Sequence, residues 1–125
     1  MQFGFTILYV RDVAASVELY ERAFGQRRRF VHESGDYAEL DTGATTLSFA
    51  SHELAESNLP GAFRRSEGSA FEVCFVTEDV AAAYARAVRE GAEPVTAPQT
   101  KPWGQRVAYV RDADGNLVEL ASPAR

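Results

Sequence analysis

The feature that most constrains this chain is an internal repeat. Val10-Arg11-Asp12-Val13-Ala14-Ala15 recurs 67 residues later as Thr77-Glu78-Asp79-Val80-Ala81-Ala82, with Asp-Val-Ala-Ala identical in both copies. Self-similarity at one fixed offset means that each copy is a structural unit in its own right. Upstream of each Asp runs an apolar, β-branched and aromatic stretch, Phe3 to Val10 and Ala70 to Thr77, that predicts a strand. Downstream, Val13, Val17, Tyr20 and Phe24 fall at helical spacing, and Val80, Tyr84, Ala87 and Val88 repeat the stripe. Asp12 and Asp79 suit N-caps, because a carboxylate there accepts from first-turn amides, and Gly25 and Gly91 suit the left-handed ends.

Three shorter strand signals follow each helix. They cover Arg29 to His32, Tyr37 to Asp41 and Thr45 to Ala50 in the first copy, and Glu93 to Thr96, Gln105 to Arg111 and Leu117 to Ala121 in the second. Ser34-Gly35-Asp36, Asp41-Thr42-Gly43 and Asp112-Ala113-Asp114-Gly115-Asn116 mark the turns. The fold class expected is α+β: two βαβββ modules in tandem, residues 1–50 and 70–125, joined by a linker at 51–69 that carries Asn58, Pro60 and Gly61. A four-stranded sheet with a helix on one face leaves the other face bare, so the two modules are expected to form a curved mixed sheet around a cleft, with helices outside.

Composition narrows the classes of function. The 125 residues, 46% hydrophobic and 25% charged, suit a single globular domain. No stretch approaches the roughly 20 apolar residues of a membrane helix, so no membrane partner is expected. Met1-Gln2-Phe3-Gly4 has no basic, then apolar, leader pattern, and the expected location is the cytoplasm. A single cysteine, Cys74, excludes an internal disulfide and a thiolate zinc cage. It reads as a small buried apolar residue. Net charge of −5 with scattered arginines argues against nucleic acid, and Arg27-Arg28-Arg29 reads as a solvated edge.

The repeat and the closing segment Arg111-Asp112-Ala113-Asp114-Gly115-Asn116-Leu117-Val118-Glu119-Leu120 resemble the vicinal oxygen chelate superfamily, which includes glyoxalase I, bleomycin-resistance proteins, fosfomycin-resistance enzymes and extradiol dioxygenases. The closing segment is similar to that family's Asp-Pro-Asp-Gly-Asn turn with its following Glu-Leu. Val10-Arg11-Asp12, Tyr20 and Phe24-Gly25 match its first module. The resemblance implies four metal-ligand positions, which here are Phe5, Thr46, Glu72 and Glu119. The Thr46 assignment aligns Thr46-Leu47 with Glu119-Leu120. A divalent ion wants several O or N donors, so a phenyl ring and a Thr hydroxyl at two positions predict no metal and no cofactor. Glu72 and Glu119 remain weak metal candidates and catalytic candidates. His32 and His52 fall at no ligand position and read as a strand-edge and a loop histidine.

Strand alternation assigns the faces. Phe5, Ile7 and Tyr9, with Glu72, Cys74 and Val76 and with Glu119, are expected on the cleft side, and Thr6, Leu8, Val10, Val73 and Phe75 under the helices. Thr46, Phe49, Trp103, Arg106 and Tyr109, with Tyr37 as a further aromatic, complete the expected ligand-binding set. Trp103, in Lys101-Pro102-Trp103-Gly104, reads equally as a stacking surface and as a plug for one end of the core. The function expected is binding of an aromatic or cationic small molecule without a complete metal site, in a homodimer. The alternative is a metal-dependent lyase, isomerase or dioxygenase acting on a bidentate oxygen substrate, with a divalent metal held by Glu72 and Glu119.

Overall fold

The computed structural model describes residues 1–65 and 70–124. The first module holds β1 (Phe5–Val10), α1 (Val13–Phe24), β2 (Arg27–Val31), β3 (Tyr37–Asp41), β4 (Thr46–Ser51) and a short α2 (His52–Asn58). The second holds β5 (Glu72–Val76), α3 (Val80–Arg89), β6 (Glu93–Thr100), β7 (Arg106–Arg111) and β8 (Leu117–Ala121). Each module builds its own mixed sheet, in the order β1-β4-β3-β2 and β5-β8-β7-β6. The first strand of each pairs parallel with the last, and the other pairs are antiparallel. By proximity the chain forms two compact units, residues 22–24 grouping with the second.

The caps act as the repeat predicts. Asp12 Oδ1 accepts from the Ala15 amide at 3.0 Å and Asp79 Oδ1 from that of Ala82 at 2.9 Å, each satisfying an orphan first-turn donor. Gly25 closes α1 in the left-handed region at φ 64°, its amide returning to the Tyr20 carbonyl. On α1 the stripe of Val13, Val17 and Tyr20 is buried, with Tyr20 meeting Phe49 edge to face at 4.8 Å. On α3, Val80 and Ala87 are buried and the helix lies against β6, β7 and β8.

The stretch read as a linker begins with a helix. Ser51 caps α2, its Oγ accepting from the Leu54 amide at 3.0 Å while also donating to Asp36 Oδ1 at 2.8 Å. His52 is therefore a helical residue and not a loop one. Residues 66–69, the rest of that stretch, lie outside the described residues.

In the closing turn the Asp112 carboxylate, 5% exposed, accepts from the amides of Asp114 and Asn116 and from Asn116 Nδ2, all at 2.9 Å. An acidic side chain is tolerated there because backbone and side-chain donors surround it. The turn delivers β8, and with it Glu119, in register beside β5.

Candidate functional site

Pairing partners share a face of a sheet, so the registers sort the candidate residues. In the second module Cys74 pairs with Glu119, Glu119 with Tyr109 and Glu72 with Leu117. Glu72, Cys74, Tyr109 and Glu119 therefore stand together on one face, while Val110, Val118 and Leu120 alternate away from it into the core. Arg106 alternates with Tyr109 and lies on the opposite face, with its guanidinium at 3.4 Å from Thr100 Oγ1. It does not join the cluster. Trp103 sits in the β6–β7 hairpin, 67% exposed, with Nε1 donating to Gln105 Oε1 at 3.0 Å; Gln105 in turn donates to the Ser122 carbonyl at 2.7 Å. That exposure removes the core-plug reading of the indole.

The chemistry of this cluster is dominated by its two carboxyls. A hydrogen bond to Glu119, then partial burial, then the negative charge of Glu119 push the Glu72 carboxyl up to about 7. Glu72 keeps its proton because ionising it beside Glu119 would set like charges against each other. Cys74 is exposed, which corrects its expected role as a buried filler, because its strand position faces outward. Its thiol is nonetheless held up at about 11, by desolvation first and then by the charges of Glu119 and Glu72. A thiol so held is mostly protonated at neutral pH and a poor nucleophile. Desolvation and the neighbouring acids also raise the Tyr109 phenol.

In the first module Phe5, Ile7 and Tyr9 are exposed on one face of β1, and Leu8 and Val10 are buried on the other. Phe5 pairs with Thr46, so Thr46 shares the open face. Phe49 does not: it is 0% exposed, in the core against Tyr20. Its expected place in a ligand site is overturned by strand alternation, since Thr46 and Phe49 are three residues apart and face opposite ways.

The registers also correct the pairing of Thr46 with Glu119. Glu119 pairs with the residue two beyond Glu72, and in the first module the residue pairing two beyond Phe5, with Ile7, is Ser48. Ser48 is thus the counterpart of Glu119. Its hydroxyl lies 3.0 Å from that of Tyr37, which donates to Glu39 Oε2 at 2.8 Å; Glu39 is ion-paired with Arg29 at 3.3 Å. Burial, followed by competing effects of Ser48 and Glu39, holds the Tyr37 phenol above its usual value.

Of this network only Tyr37 was expected in a site. Arg29 arrives through an irregularity in the β2–β3 register between Arg28 and Phe30, where an extra residue re-aims a side chain. It also reaches Thr46 Oγ1 at 3.4 Å, whereas Arg28 pairs with Glu21 at 2.8 Å. The Arg27-Arg28-Arg29 run is exposed, as expected, and each member has a carboxylate partner within the chain. Strand periodicity alone carries no signal for an irregularity of this kind.

A divalent ion is not matched by this donor set. Phe5 offers no lone pair, and Ser48 is engaged with Tyr37. Among the described residues no three His, Cys, Asp or Glu side chains converge on one point.

Tandem βαβββ modules with the same strand order define a class of paired-module proteins. The chain belongs to the Glyoxalase/Bleomycin resistance protein/Dioxygenase superfamily, which matches residues 2–120. It is 32% identical over 117 residues to the uncharacterized protein YraH of Bacillus subtilis strain 168, covering 90% of this chain and 91% of YraH. The fold is shared with a glyoxalase/bleomycin resistance protein/dioxygenase family enzyme from Burkholderia phytofirmans PsJN, at TM-score 0.89 and 22% identity over 98% of both chains. TioX from Micromonospora sp. ML1 is similar at TM-score 0.75 and 26% identity, again over 98% of each.

Proposed function

We propose that this chain binds a small molecule with an aromatic body and a cationic head, and does so without a divalent metal. The observation that carries the reading is the Glu72–Glu119 pair on an exposed sheet face, where Glu72 is held protonated up to about 7 by its hydrogen bond to Glu119. A ligand cation supplies the positive charge that this proton now supplies, so binding releases the proton and both carboxylates then face the cation. Exposed aromatic surface on Trp103, in the same unit as the pair, suits a planar body, through stacking and cation–π attraction. The metal-dependent alternative is disfavoured by the donor chemistry at Phe5 and Ser48.

The test uses N-methylquinolinium and its neutral isostere 1-methylnaphthalene. N-methylquinolinium should bind the tighter of the two, and about tenfold more tightly at pH 8 than at pH 6, because the fraction of ionised pair rises by about that factor across a pKa near 7. Titration in buffers of different ionisation enthalpy should detect the released proton. Glu119→Gln should abolish both the preference for the cation and its pH dependence. Cation binding that is indifferent to pH and to Glu119→Gln, or absent altogether, sinks the proposal.

A further inference from the structure

Trp103 is the one tryptophan of the chain, and although it is exposed it is tied in place. Its Nε1 donates to Gln105 Oε1 at 3.0 Å, and the half-buried Gln105 side chain donates its own Nε2 to the Ser122 carbonyl at 2.7 Å. Ser122 is bonded in turn to the next residue of the hairpin. The Arg106 amide donates to Ser122 Oγ and the Ser122 amide to the Arg106 carbonyl, both at 2.9 Å. The loop that carries the ring is closed across its base, the Lys101 amide donating to the Gln105 carbonyl and the Gly104 amide to that of Lys101, each at 2.8 Å. Gly104 makes this closure possible at φ 92°, where a side chain would be strained.

These bonds do not serve burial. An exposed indole gains little from packing, and water satisfies its N–H about as well as a side chain does. Unbonded, a ring at a loop tip samples several rotamers. The Gln105 bridge gives it one orientation, with the N–H turned toward the chain while the residue stays open to solvent.

We infer that Gln105 is a positioning residue, which fixes the Trp103 indole as a platform before a planar ligand arrives. This rests on the reading of Trp103 as the surface on which the ligand's aromatic body stacks, and it adds the residue that orients the stack. Orientation in advance matters because a side chain that is ordered only on binding subtracts from affinity. With its N–H engaged inside the chain, the indole meets the ligand through its π surface and not as a hydrogen-bond donor.

A double-mutant cycle on the full chain tests the role. Gln105→Met keeps the length of the side chain and removes both of its polar groups, whereas Trp103→Phe keeps a ring and removes the N–H that Gln105 holds. In calorimetric titration with N-methylquinolinium at pH 8, Gln105→Met should weaken binding about two- to tenfold, the effect of ordering one side chain on binding. In the Trp103→Phe background the same substitution should have no effect. The lone indole supplies a second readout: its single Nε1–H resonance should show the heteronuclear NOE of ordered backbone in the unmodified chain and a lower value in Gln105→Met. Unchanged affinity in Gln105→Met, or an equal loss in both backgrounds, overturns the role of Gln105 and leaves the cation-binding reading intact. No binding of N-methylquinolinium by the unmodified chain overturns both. Should Gln105→Met fail to fold, the NOE of the unmodified chain decides: an ordered indole supports the bridge, and a mobile one overturns it.

Discussion

The Glu72 carboxyl holds its proton to about 7 in the folded chain, against an ordinary value of 4.5. Between those values the folded state binds a proton that the unfolded state has released, so this group makes stability fall as pH rises from about 4.5 to 7. Glu72→Gln removes that slope. Denaturant unfolding at pH 5 and pH 8 should therefore show the variant gaining on the parent at the higher pH, and parallel pH profiles would contradict the raised Glu72 carboxyl. Trp103 makes the second prediction at this scale. Because the indole is 67% exposed, Trp103→Ala should change stability by less than about 1 kcal/mol, where a buried Trp would cost about 3 to 5. Thermal or urea unfolding distinguishes the two, and the same variant should bind N-methylquinolinium more weakly if the indole stacks on it.

Among the elements, the two long helices were legible because their caps, stripes and glycine ends are local signals repeated twice. The short α2 was not, since Asn58, Pro60 and Gly61 dominate that stretch and its one capping signal is the Ser51 hydroxyl. The turn before β8 is the element on which the Glu119 position depends. Asp112→Ala would strand two amides and the Asn116 side chain, and should cost about 1 to 3 kcal/mol. Asp12→Ala, which removes one cap bond at an exposed helix start, should cost nearer 1 kcal/mol. Chemical denaturation of both variants checks the order, and an Asp112→Ala protein no weaker than Asp12→Ala would show that the turn is held by its backbone alone.

For the whole molecule we expect a homodimer. β1 and β5 each stand at the end of their sheet and hydrogen-bond to one neighbour there, and Phe3, Phe5, Ile7, Phe71 and Val76 are exposed on or beside these strands. An open strand edge beside exposed apolar surface invites a partner. Sedimentation equilibrium at micromolar concentration should give twice the 13.7 kDa of the chain, and a mass equal to one chain would refute it. No helix among the described residues is long and apolar enough to cross a membrane.

What the sequence determined by itself was the repeat, the βαβββ order of both modules, the caps and the facing of β1 and β5, because period-2 and period-3.6 patterns are written in neighbouring residues. Read strictly, the same alternation already separates Phe49 from Thr46. Tertiary structure alone decided the rest. That Ser48 rather than Thr46 answers Glu119 is a matter of register between strands far apart in the chain. Arg29 joins Glu39 only because β2 departs from regular pairing. The hold of Glu72 on its proton beside Glu119, a residue of another strand, depends on a side-chain separation and a local solvation that no one-dimensional pattern encodes.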